Sequence, residues 1–521
     1  MPTMISPTEL ARVMASEELY AVFDVRERGE FNECQISGAT SLPRSQIEFR
    51  IVDLVPNRRI PIVLYDDATE RANAAVKTLT EYGYSNVSLL DGGLSGWKSA
   101  GYSTSSGVNV PSKSFGERLH HEENIPDISA EELKALQKSS TDMTIVDVRT
   151  PEEYGRFCIP GGINIPGGDL ILWADALQQN PTTNVIVNCA GRTRSIVGTA
   201  TLRRLGLSNV RALRNGTMGW VLAGFELENR PRRKTPVVPN VSREHARELA
   251  LRLANEERIR WVSADELMRV VSSDELTYLI DVRSETEYTA GHVPGSLSVP
   301  GGQAVQRADD FVAVRNGRIV FISNSSTRAV MAAYWYRQMG FPDVCVLEGG
   351  VREWGKTGGK LVAGASHVEP LGYEAARKFA RLISARNLDQ ILQSSAPLVL
   401  DVGTSIDYET AHVPGARWIS RGWIEITLPR QIPDRNRPLI VTCPHDRHSV
   451  LAARTVGEIG YENVLVLDGG ARAWRAAGYQ TEQGLVSCLT DPNDVVLSPS
   501  IKGDKEAMQR YLDWEEKLAK F

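Results

Sequence analysis

Cysteine is scarce in this sequence. Six occur in 521 residues, at positions 34, 158, 189, 345, 443 and 488, and no two are spaced Cys-x-x-Cys. That excludes a disulfide miniprotein and gives a disulfide framework or a zinc site little support. Long apolar runs are missing as well. None approaches the roughly 20 residues that cross a bilayer, and the N-terminus lacks the basic-then-apolar order of a signal peptide. The expectation is a reducing cytoplasm and no membrane partner, with any functional cysteine present as a thiol. Charge of one sign is also lacking. Lys plus Arg number 59 against 64 for Asp plus Glu, and the one basic patch is short, at 230–234. Bulk electrostatics therefore gives no reason to expect nucleic acid as a partner. What is present is ordinary for a globular chain: 42% hydrophobic and 24% charged residues, over a length that suits three or four domains.

Internal repetition fixes the organisation. An Asp-Val pair ends an apolar run at Asp24, Asp147, Asp281 and Asp401, and a Gly-containing turn leads to Trp97, Trp220, Trp354 and Trp474. Asp and Trp are 73 positions apart in all four copies. The copies follow one another at offsets of 123, 134 and 120 residues, too long for a solenoid, so each copy is a small domain. The expected bounds are 1–105, 125–230, 258–362 and 380–482, followed by a tail over 483–521.

Each copy reads as strand alternating with helix. Ser after Ile5, Ile128, Val262 and Ile383 suits a helix N-cap. Buried strands are expected at 20–25, 143–148, 277–282 and 397–402, then at 60–65, 184–188, 318–322 and 438–442, and last at 87–90, 210–213, 344–347 and 464–467. Short apolar strands between helices predict an α/β fold: small parallel sheets flanked by helices on both faces. Residues 103–125 read as polar loop and 230–239 as a basic linker. Helices are expected over 242–260, 373–382 and 502–521, the last with Met508, Tyr511, Leu512, Leu518 and Phe521 on one side. These stripes are expected to dock on neighbouring domains; a homodimer stays open.

Ligands of open parallel sheets bind at the carboxyl ends of the strands. Forty-two positions beyond each marker Asp, that place holds Asp66, Cys189, Ser323 and Cys443. The second loop reads Cys189-Ala-Gly191-Arg192-Thr193-Arg194-Ser195, and the fourth Cys443-Pro-His445-Asp-Arg447-His448-Ser449. A strand that ends, curls and enters a helix within six residues points free N–H groups into the curl, an anion cradle. A cysteine there, beside Arg192 and Arg194 or Arg447 and His448, is expected to titrate low and stand as a thiolate. Cys345, inside a strand, reads as core.

Asp-Val-Arg, the stretch Glu287-Tyr-Thr-Ala-Gly-His-Val-Pro-Gly295, the cysteine loop and Gly-Gly-x-x-x-Trp together resemble the rhodanese family of sulfurtransferases. The resemblance covers nearly the whole chain as four tandem rhodanese-like domains. Departures occur at Cys34-Gln35, at Phe157-Cys158 and at Gly403, which replaces the Arg of Asp-Val-Arg; they read as drift in a structural turn, with Cys158 as a resolving thiol the alternative. The resemblance implies that Cys189 and Cys443 are catalytic. A sulfane sulfur would pass from thiosulfate or a small persulfide, through a cysteine persulfide, to cyanide or a thiol, without metal or organic cofactor. Gly191, Arg192, Thr193, Arg194, Ser195, His445, Arg447, His448 and Ser449 would bind the donor. Cys189 is expected to turn over more, because Pro444 removes an N–H and Asp446 opposes an anion. Four residues between Cys189 and Arg194, one fewer than in related phosphatases, suit a sulfur atom better than a phosphate. A sulfur relay or binding scaffold serving a protein acceptor is the alternative. Cys-less and Cys-bearing copies alternate, which resembles two fused two-domain rhodaneses.

Overall fold

The computed structural model describes residues 2–67, 70–139, 141–180, 182–233, 237–273, 275–365 and 369–520. Each repeat forms one five-stranded sheet, and its strands run parallel. In the second repeat Met143–Asp147 and Asn184–Asn188 lie side by side in the middle, flanked by Ile163–Asn164 and by Val210–Leu213, with Asp127–Ile128 at the edge. Their pairing sets Asn188 opposite Asp147. The marker Asp and the residue after the second strand thus share one sheet end, where the loops gather. Ser6, Ser129, Ser263 and Ser384 cap the first helices as expected, each accepting the amide three residues on.

The repeated motifs have structural reasons. In three copies the Arg of Asp-Val-Arg folds back on its Asp in a buried pair at 2.7 Å: Arg26 on Asp24, Arg149 on Asp147 and Arg283 on Asp281. The same guanidinium then ties down the returning turn through the Cys34, Phe157 and Gly291 carbonyls. Each marker Trp donates its indole N–H to the carbonyl six residues on, closing the last helix onto the chain that follows it.

Gly403 is not drift. A Cβ there would lie 2.6 Å from Pro444 Cδ, so a proline in the fourth loop leaves no room for the arginine. Cys158 is fully buried in the two-residue strand Phe157–Cys158, and burial raises its thiol pKa, which suits core more than a resolving nucleophile.

Two segments differ from expectation. Residues 103–125 are not a loop: Val110–Glu122 is a helix. Its buried side chains include Ser112, Lys113 and Glu117, so the face that packs is partly polar and no apolar stripe announces it. The tail helix spans Lys505–Lys517 and ends in a tight turn at Leu518–Lys520; Phe521 lies outside the described residues, as do 234–236 of the basic linker.

The repeats do not pair in sequence order. One compact unit joins the first repeat to the fourth, and the other joins the second to the third together with the C-terminal tail. Within each unit the element that begins 20 positions beyond the marker Asp meets its counterpart. Gly168 lies so close to Gly301 that a Cβ would approach its Cα to 2.9 Å. In the other unit Arg44 pairs with Glu425 at 2.8 Å while Arg421 pairs with Glu48, a reciprocal exchange of the kind two-fold interfaces make. Each unit still combines one Cys-bearing and one Cys-less repeat.

Candidate active site

Cys189 follows the buried strand Asn184–Asn188 and precedes the helix Thr193–Arg204. Its sulfur lies 3.5 Å from Ser195 Oγ, and the Ser195 amide faces it as well. Of the amides that the sequence places in the curl, that of Ser195 faces the sulfur. The floor of the curl is the Gly-rich turn: Gly216, at φ 53°, presses against the Cys189 carbonyl, and the Thr217 amide donates to that carbonyl at 2.9 Å. The same contact recurs under Asp66, Ser323 and Cys443, from Gly93, Gly350 and Gly470. Gly216→Ala adds a Cβ where the Cys189 carbonyl sits and forces an L side chain into left-handed backbone. A loss of about 1–3 kcal/mol is expected in denaturant melts, with slowed reaction at Cys189.

The same arrangement explains the Cys-less loops. In the first repeat the Asp66 side chain accepts the Ala72 amide at 3.0 Å, so that cradle is already filled by the chain's own carboxyl group. In the third, Ser323 Oγ takes the equivalent Ala329 amide at 3.3 Å.

The two arginines beside Cys189 are already engaged. Arg194 makes two hydrogen bonds to Glu153, at 2.6 and 2.8 Å, a pair repeated by Arg71 with Glu30 and by Arg328 with Glu287. Arg192 donates to both oxygens of buried Glu117, and also to Asn215 and Glu516. Arg194 acts on the sulfur through its field, while two of its N–H groups bind Glu153.

The expected low thiol pKa is not found. Cys189 is 2% exposed, and burial pushes its thiol up against the pull of Arg194 and Ser195, with the Glu515 carboxylate adding to the rise. Cys443 is pushed up to about 11, again chiefly by burial. Its Ser449 hydroxyl and amide face the sulfur as Ser195 does at Cys189. The surrounding charges differ. His448, at the position of Arg194, stacks on Phe49 with ring centres 4.2 Å apart, and burial drives its pKa down to about 3, so it is a neutral ring at pH 7. His445 is exposed and Arg447 half-buried. Asp446 is held by Arg377 at 2.6 Å, which offsets the charge expected to oppose an anion.

Sequence reasoning missed four residues around Cys189: Lys113 and Glu117 on the helix read as loop, and Tyr511 and Glu515 on the tail. The tail's apolar spacing was visible, but not the surface that it covers. Glu117, His120 and His121 bring ligand atoms within 4.8 Å of one another, yet Glu117 spends both oxygens on Arg192, which does not suit a metal.

Comparison with known proteins agrees with this geometry. The rhodanese-like domain family matches residues 6–100, 129–223, 263–357 and 384–477. The crystal structure of a thiosulfate sulfurtransferase from Pseudomonas aeruginosa superposes with a TM-score of 0.91 at 37% identity, over 99% of this chain and 97% of that one. A putative thiosulfate sulfurtransferase of Mycobacterium tuberculosis, SseB, is 32% identical over 145 residues, 25% of this chain and 49% of its own. A putative sulfur carrier protein of Bacillus subtilis, YrkF, is 35% identical over 104 residues, 20% of this chain and 55% of its own. The chain thus spans about half the length of these two curated relatives. No helix among the described residues is long and apolar enough to cross a membrane. Four matched domains, four parallel sheets and the cysteine loop at the sheet end place the chain in the rhodanese family.

Proposed function

We propose that the protein transfers sulfane sulfur from an anionic donor such as thiosulfate to cyanide or a small thiol, through a persulfide on Cys189. The supporting observation is a cysteine whose sulfur faces the amide and hydroxyl of Ser195 at the start of a 12-residue helix. In the first step the Cys189 thiolate attacks the outer sulfur of thiosulfate. A new S–S bond forms, the bond to the sulfonate sulfur breaks, and its electron pair leaves with sulfite. In the second, cyanide attacks the outer sulfur of the persulfide, thiocyanate departs and the thiolate returns. No oxidant is consumed. The helix start and Arg194 stabilise the negative persulfide, while Glu153 holds Arg194 in place.

Incubation with thiosulfate should add the mass of one sulfur atom to the intact chain, and cyanide should remove it. The YrkF similarity makes a protein acceptor the second reading. It predicts the same mass gain with little thiocyanate formed. A chain that gains no sulfur from thiosulfate refutes the proposed donor.

A further inference from the structure

The mouth of the Cys189 loop is closed by the chain's own C-terminal helix, Lys505–Lys517. Met508 and Leu512 are almost fully buried against Met218, with Ala190, Val221 and Leu222 beside them. One turn further on, Glu515 is 1% exposed. Its Oε1 accepts from Thr193 Oγ1 at 2.6 Å and from the Thr193 amide at 3.3 Å. Thr193 is the first residue of its helix, so this amide is one that the helix cannot satisfy internally. Glu515 Oε2 is buried, finds no hydrogen-bond partner among the described residues, and points at Gly191, where a Cβ would lie 3.0 Å away. Next to it, Glu516 takes Arg192 at 2.9 Å.

Lys113 completes the picture. It is 2% exposed, and its ammonium has no hydrogen-bond acceptor among the described residues. It lies 4.5 Å from the ring centre of Tyr511 and 4.6 Å from that of Trp514, and its field reaches Glu515. A buried ammonium that faces two rings and the charges of Glu515 and Asp309 without a hydrogen-bond acceptor, beside a buried carboxylate with one oxygen unmet, is costly in a finished core.

We infer that the Thr193 amide and hydroxyl, with Lys113, form an oxyanion site, and that Glu515 fills it from within. The C-terminal helix and an oxyanion then exclude each other, and Cys189 is reached only when the helix lifts. That the oxyanion belongs to a sulfur donor rests on the function proposed above; the exclusion itself does not.

Two measurements on the full chain test this. The first is alkylation of Cys189 by iodoacetamide, a neutral probe, followed by peptide mass with Cys443 as internal reference. Glu515→Gln should speed alkylation of Cys189 about tenfold, and Leu512→Asp, which leaves the Glu515 charge in place, more, with Cys443 unchanged. Equal rates in wild type and both variants overturn the inference, as does wild-type Cys189 reacting as fast as a free thiol. The second is trypsin cleavage at Lys505, Arg510 and Lys517. Sulfite, at constant ionic strength set with chloride, should accelerate it in wild type. No acceleration removes the oxyanion site. If both results hold while thiosulfate and cyanide yield no thiocyanate, the site stands and the proposed function fails.

Discussion

A Cys189→Ser chain should gain no sulfur at position 189 from thiosulfate, and its thiocyanate production at pH 8 should fall to the small residue that Cys443 can support. A serine hydroxyl offers no thiolate, so the only remaining route runs through Cys443. That thiol is pushed up to about 11, which leaves about one part in a thousand ionised at pH 8. The loop around Cys443 does little to help. His448 is neutral where Arg194 is charged, and Pro444 supplies no amide. Cys443→Ser should therefore leave turnover nearly intact. A thiol pKa raised in the folded chain also fixes the pH dependence. Alkylation of Cys443 should rise about tenfold per pH unit from 7 to 10, following its thiolate fraction. If Cys443→Ser costs as much as Cys189→Ser, the ranking of the two sites is wrong.

The second large effect concerns Asp401. Its three counterparts are neutralised by a folded-back arginine, but Asp401 is 2% exposed and, among the described residues, receives the Gly403 amide at 2.8 Å and no arginine. Burial lifts its carboxyl to about 7, so the fold prefers the protonated acid. The unfolded chain titrates near pH 4. Between about pH 4 and 7 the folded state holds a proton that the unfolded state has lost, so stability declines as pH rises through that window and is level above it. Asp401→Asn keeps an oxygen for the Gly403 amide and removes the charge. It should stabilise the unit by about 2–4 kcal/mol at pH 8 and have no comparable benefit at pH 4. Asp281→Asn should do the opposite. It strands the buried Arg283 guanidinium and should cost about 3–5 kcal/mol. Urea melts of both variants at pH 4 and 8 check the pair. Glu27, lifted to about 7 by burial, retains a similar slope in either variant, so the difference from wild type is the quantity to compare.

Much of this was legible from residue order. The fixed Asp-to-Trp spacing located four sheets, and the strands at 87–90, 210–213, 344–347 and 464–467 stand where their apolar runs put them. Apolar alternation and Gly-rich turns are local signals, so local reading finds them. The thiol's acidity was not legible, because helix start and arginines can be read from the loop itself, while the burial that outweighs them is a product of tertiary packing and Glu515, which adds to the rise, lies more than 300 positions away. Pairing of the repeats departs from the order of the alternating loops for a related reason: adjacency in sequence does not dictate adjacency in space. A cue did exist. Arg44 and Arg421 each precede an Ile-Glu pair by three positions, whereas the second and third copies carry Pro-Gly-Gly there, at 166–168 and 300–302. Like meets like across each interface.

The nested order of the repeats has a consequence for biosynthesis. As the ribosome releases the chain from its N-terminus, the second and third repeats can close on each other as soon as the third emerges. The first must wait for the fourth, which begins near residue 380. At about 5–20 residues per second, that delay lasts tens of seconds. Through it the face carrying Arg44 and Glu48 has no counterpart, and the nascent protein presents a charged, half-finished surface that a chaperone or a second nascent copy could reach first.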